Sequence, residues 1–214
     1  MPNQNGSMYG LTILSPIIDD PTIRISHDSA LRMYLEKLPR HEDSPFARIS
    51  GTHICRLVVM DDVVFVGAPA KQEHLKSKYL VFTSNFFGED LDAYLMGMAK
   101  TIPGVVNDIW SHCAGFPGAD DPKAFAAYMK NCQIETTFFF AAVNDQTVEQ
   151  TLRALQTKVE FAAFVEENQG KAPAELQAAF SAFWQRLSQM PLPRPGAKEL
   201  TRVRSAGASG EGAW

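Results

Sequence analysis

The chain has 214 residues, 45% of them hydrophobic and 21% charged, with a formal net charge of −4, the balance of a globular protein with one sizeable core. No run of Lys or Arg exceeds two residues, which excludes the concentrated positive field that nucleic acid requires. Three cysteines without CxxC spacing and no apolar segment of the roughly 20 residues needed to span a bilayer predict a cytoplasmic protein with no membrane partner, its core built by packing.

Residues 1–10 read as a flexible start, without the basic and apolar regions of a secretory signal. Leu11–Ile18 is β-branched and apolar, a strand that Pro16 places near an edge. Ser26 or Asp28 can cap a helix whose apolar face is Leu31, Tyr34, Leu35 and Leu38, and Pro39 stops it. An ordered loop, residues 44–51, leads into a second strand, Thr52–Met60. Val63–Val66 either prolong it or form a short hairpin arm, and Gly67–Ser77 is a surface loop.

Tyr79–Phe86 is a third strand that turns sharply at Phe87-Gly88 into a helix capped by Asp90. Its stripe of Leu91, Tyr94, Leu95 and Met98 continues through Ile109, Trp110 and Cys113, with a break expected at Pro103-Gly104. Gly115 suits a left-handed cap, and Asp121-Pro122 opens a further helix with Phe125, Met129 and Cys132 inward. The strand-into-helix unit then recurs: Thr136–Val143 reads as a fourth strand, and Thr147-Val-Glu-Gln150 has capping-box spacing before a stripe of Val148, Leu152, Leu155 and Val159. Pro173 starts a last helix with Leu176, Phe180, Phe183 and Leu187 inward.

These elements predict an α+β domain over residues 11–168, an accessory helix over 173–189 and a mobile tail over 191–214. Strand, helix, strand, strand, helix, strand is the ferredoxin-like βαββαβ arrangement, an antiparallel sheet with helices on one face and here with extra C-terminal helices. The other face would be apolar and open, and a two-fold dimer closing two sheets into a barrel is the expected cover.

Alternation puts Arg56 with Ile54 and Val58 on one face of its strand, and His53 with Cys55 and Leu57 on the other. Arg56 is then either an anion or carboxylate clamp on the open face or half of an ion pair with Glu36, Asp61 or Asp92. His53, at the strand entrance, is a ligand, a proton donor or a loop anchor. His112 lies beside the apolar stripe at a helix C-terminus, either bonding the last carbonyls or serving a pocket as proton donor or ligand. Thr83 and Asn85, late in an apolar strand, and Trp110 are candidate substrate-binding residues. Cys113 reads as core. No GxGxxG, Walker loop, GxSxG or HExxH occurs.

Residues 44–56, 79–88 and 109–118 resemble segments of an uncharacterised bacterial family, over roughly residues 10–165. The general plan resembles the dimeric α+β barrel superfamily, which includes dye-decolourising haem peroxidases, chlorite dismutase-like proteins and small monooxygenases. That resemblance implies a dimeric oxidoreductase-like protein with a small apolar or aromatic molecule in a pocket over the sheet, and possible haem as cofactor. His53, Arg56 and His112 would be its catalytic groups, with His53 or His112 holding the cofactor. The competing expectation is a non-catalytic dimerisation or interaction module without a cofactor.

Overall fold

A computed structural model describes residues 2–200. It is an α+β structure with a four-stranded antiparallel sheet and six α-helices among the described residues. Strands β1 (Gln4–Asn5), β2 (Met8–Pro16), β3 (Thr52–Met60) and β4 (Tyr79–Phe87) lie in the order β1-β2-β4-β3. Strict alternation sets the faces: Leu80, Phe82, Ser84 and Phe86 of β4 are buried while Val81, Thr83 and Asn85 are half-buried. Helices α1 (His27–Lys37), α2 (Leu91–Thr101), α3 (Pro103–Trp110) and α4 (Pro122–Asn131) supply most of the rest of that core, with Phe46 and Ile49 from the segment before β3. Leu31, Leu95, Met98, Ile109, Trp110 and Phe125 join Leu11, Ile13 and Phe82 in one cluster.

Local chemistry sets the helix ends. Asp90 accepts a hydrogen bond from the Ala93 N–H, and Asp121 accepts from those of Lys123 and Ala124, so free donors of the first turns are satisfied. Pro103 and Pro122 occupy first-turn positions where no N–H is needed. The break between α2 and α3 therefore falls at Pro103, as its ring requires.

The predicted fourth strand is not there. Thr136–Val143 lies outside any strand, with Phe138 and Phe140 82% and 69% exposed. The reason is competition for one edge of β2. Within the segment expected to be flexible, residues 1–10, Gln4–Asn5 form β1 and Met8–Gly10 begin β2. Gln4 and Asn5 pair with Tyr9 and Met8, and the Gly10 N–H donates to the Asn3 carbonyl. Farther along β2, Leu14 N–H donates to the Cys132 carbonyl and Ile134 N–H donates to the Thr12 carbonyl. With the edge filled, the chain leaves it after Ile134. Side chains replace the ladder: Asn3 Oδ1 accepts from Thr136 N–H, and Asn5 Nδ2 donates to the Phe139 carbonyl. Val63–Val66 likewise do not prolong β3. The Asp62 carboxylate accepts from the N–H groups of Val63 and Leu75 and pairs with His74 Nδ1, pinching the neck of the loop.

The chain divides into two compact units, with the boundary between Val148 and Glu149 and not near residue 168. The second is built on α5 (Val148–Glu167) and α6 (Pro173–Gln189), which reverse through Gly170 at φ +77°. Phe164, Phe183 and Leu187 are its buried cluster. Arg153 donates to the Met190 carbonyl and Gln156 to that of Pro191, tying the chain after α6 back to α5. Leu176 and Phe180, predicted inward, are 40% and 45% exposed. A short 3-10 turn spans Lys198–Leu200; of the tail expected over 191–214, residues 201–214 lie outside the described residues.

Candidate functional site

The sheet face opposite the helices brings together three of the sequence-predicted residues, Arg56, Thr83 and Asn85. Cross-strand register produces three successive rows on it: Gly10–Asn85–Ile54, Thr12–Thr83–Arg56 and Leu14–Val81–Val58. Thr12, Leu14, Val81, Thr83 and Asn85 are half-buried, while Ile54 and Val58 are 65% and 45% exposed. Arg56 is exposed between them. Of the acids named as its partners, Asp61 pairs with Arg32 and Lys78 and Asp92 with Lys130, while Glu36 makes no ion pair with Arg56. Among the described residues Arg56 has no hydrogen-bond or ion-pair partner.

One end of this face is walled by an aromatic ring. Gly10 points there, and a β-carbon at that position would lie 2.8 Å from the Phe139 ring. The ring therefore takes the place of a side chain, which requires glycine beneath it. Phe139 and Thr12 belong to the site and were not singled out from the sequence. Thr12 was legible through its alternation with Leu14. Phe139 was not, because its position follows from the displacement of the would-be fourth strand.

The other predicted residues lie elsewhere. His53 sits where the β3–β4 register shifts between Thr52 and Ile54. A bulge there takes it out of simple alternation, and its Nε2 lies 3.1 Å from the Gln146 carbonyl oxygen. This is the loop-anchor geometry. Trp110 is fully buried, edge-on to Phe82 and Phe125 at 5.5 and 5.7 Å, so it serves the core and does not reach the open face.

His112 pairs with His27, the residue that opens α1, their Nδ1 atoms 3.0 Å apart. One ring donates and the other accepts, so the contact requires at least one neutral imidazole. Burial first, and then the neighbouring His27, push the His112 pKa down, against an upward pull from Asp108. Tyr34, in the same cluster, is pushed up to about 12 by burial and by Asp108. A base whose pKa is depressed on folding contributes stability that is complete above its unfolded value, near 6.5, and is lost as pH falls below it. The urea midpoint is accordingly expected to drop between pH 7.5 and pH 5.5, and His112→Gln flattens that dependence. An unchanged slope in His112→Gln would show that other groups carry the linkage.

Cys113 is buried and its thiol is pushed up to about 12, chiefly by burial, which suits a packing residue and not a nucleophile. Among the described residues no three His, Cys, Asp or Glu side chains gather into a group that could hold a metal ion. Haem ligation needs an imidazole free to face the iron. His53 and His112 each engage a protein partner through one ring nitrogen, in separate clusters. No helix among the described residues is long and apolar enough to cross a membrane.

No protein-family model matches the chain, no curated protein matches it in sequence, and no solved structure matches it. Nothing in the three comparisons identifies a superfamily.

Proposed function

We propose that this chain is a non-catalytic binding protein whose open sheet face takes a small aromatic molecule carrying a carboxylate. The observation that carries this reading is Arg56, an unpaired guanidinium framed by Ile54 and Val58 and set across β4 from the Phe139 wall. Neighbouring strands are about 4.8 Å apart and residues about 3.4 Å apart along each strand. Gly10 and Arg56, two strands and two residues apart, are then separated by roughly 12 Å between backbones. One or two fused rings fill that interval with a face against Phe139 and a carboxylate at Arg56. Thr83 and Asn85 lie between, on the same face, as hydrogen-bonding groups for the polar end.

The oxidoreductase expectation placed His53, Arg56 and His112 around one substrate. Of these three, only Arg56 is on this face.

The test is a titration with 2-naphthoate followed by backbone amide resonances. Shifts are expected at Ile54, Arg56, Thr83 and Asn85, and Arg56→Gln weakens binding about tenfold, the worth of one charge-assisted hydrogen bond. The uncharged 2-naphthalenemethanol binds the wild type as weakly as naphthoate binds Arg56→Gln. Resonances that stay in place at millimolar naphthoate would sink the assignment.

A further inference from the structure

The second unit exposes a groove that its own helices do not fill. It has a volume of about 650 Å³ and runs between α5 and α6, lined by Phe161, Phe164, Val165, Leu176 and Phe180. Leu176, Phe180 and Trp184 recur at steps of four on α6, and each is 40–57% exposed. Phe161 and Val165 form the facing stripe on α5 at 46% and 44% exposure. Against these, the buried cluster among the described residues is Phe164, Phe183 and Leu187, with Ala179 and Met190 packed on it, between helices of 20 and 17 residues. Two long helices with that little shared core form half of a bundle, since amphipathic helices draw their stability from covering an apolar stripe.

We infer that the α5–α6 hairpin is a self-association surface, and that a second copy of this chain completes a four-helix bundle on it. Self-complementarity singles out the second copy among possible occupants. Leu176 and Phe180 of the α6 stripe line the groove and Trp184 continues the stripe one turn on, so a two-fold axis lays the stripe of each copy along the groove of the other. The area agrees. Phe, Tyr and Trp bury 150–250 Å² each when covered, so three half-exposed aromatics together with Val165 and Leu176 offer on the order of 450 Å² of apolar surface per copy. In an interface about 60% apolar that corresponds to roughly 750 Å² per partner, the size of a standard stable interface. The desolvation cost is low. Lys171 is the one charged residue among those lining the groove, and its Nζ is bonded at 2.6 Å to Asn168 Oδ1. The contact does not use the sheet face assigned above, so the two readings stand or fall separately.

Sedimentation velocity of the full chain between 1 and 100 µM tests it. A dimer is expected in this range, with Phe180→Glu and Trp184→Glu each weakening the dissociation constant at least 100-fold while far-UV circular dichroism keeps the helical signal. Leu176→Lys, near the rim of the groove, gives a second, milder disruption. Ile54→Asp, on the sheet face, leaves the dimer intact. A monomer at 100 µM overturns the inference, and so does a dimer that survives both glutamate substitutions or is lost on Ile54→Asp.

Discussion

Phe82→Ala lowers the stability of the sheet unit by about 3–5 kcal/mol, the cost of emptying a fully buried phenylalanine site. Phe82 is 0% exposed at the centre of β4, the strand paired on both sides. Its ring meets the edge of Trp110 at 5.5 Å and stacks on Phe46 at 6.2 Å. Truncation removes contacts to the helical layer and to the loop before β3 together. Trp110 is not free to collapse into the space, because it is itself wedged against Phe125 at 5.7 Å. The measurement is urea unfolding, with a lower midpoint and an unchanged slope. Phe82→Leu, which keeps most of the volume, costs less than half as much. A loss under 1 kcal/mol for the alanine variant would mean that the sheet and helices do not share one core.

Gly51→Ala is expected to cost about 2–3 kcal/mol for a different reason. Gly51 has φ +80°, and a β-carbon there would lie 2.7 Å from the Phe87 carbonyl oxygen. The left-handed conformation alone costs an ordinary residue about 1–2 kcal/mol. The clash adds to it because the contacted atom is backbone and held in place: Phe87 N–H donates to the Gly51 carbonyl at 2.8 Å, and Gly88 N–H donates to that of Ser7. Relief requires breaking the join between the start of β3 and the end of β4, about 1 kcal/mol more. Gly118→Ala is the control. That residue has φ +94° but nothing within 4 Å of a β-carbon, so it pays the conformational part alone. Equal losses at the two positions would refute the steric argument.

The candidate face shows how far pattern reading extends. Period-two alternation is a property of the local backbone, so the placement of Arg56 with Ile54 and Val58 followed from β3 alone. That Thr83 and Asn85 share this face with them depended on the β3–β4 register, which only strand pairing decides. His53 escaped alternation because a bulge sits beside it, and a bulge is set by the partner strand as much as by its own residues. His112 was visible as a helix-end histidine. Its partner His27 was not, since 85 residues separate them in sequence.

The amino-acid order by itself determined the existence of three long strands (the first at Met8–Pro16 and not Leu11–Ile18), the proline-defined helix starts and the aspartate caps, because each depends on a few neighbouring residues. Tertiary structure decided the fate of Thr136–Val143, a segment with every local mark of a strand. Asn3–Asn5 and Cys132–Ile134 already occupy the hydrogen-bonding edge of β2, and one edge pairs only once. It likewise decided which apolar residues of α5 and α6 are covered, since helical spacing defines a stripe without stating how wide a partner lies against it.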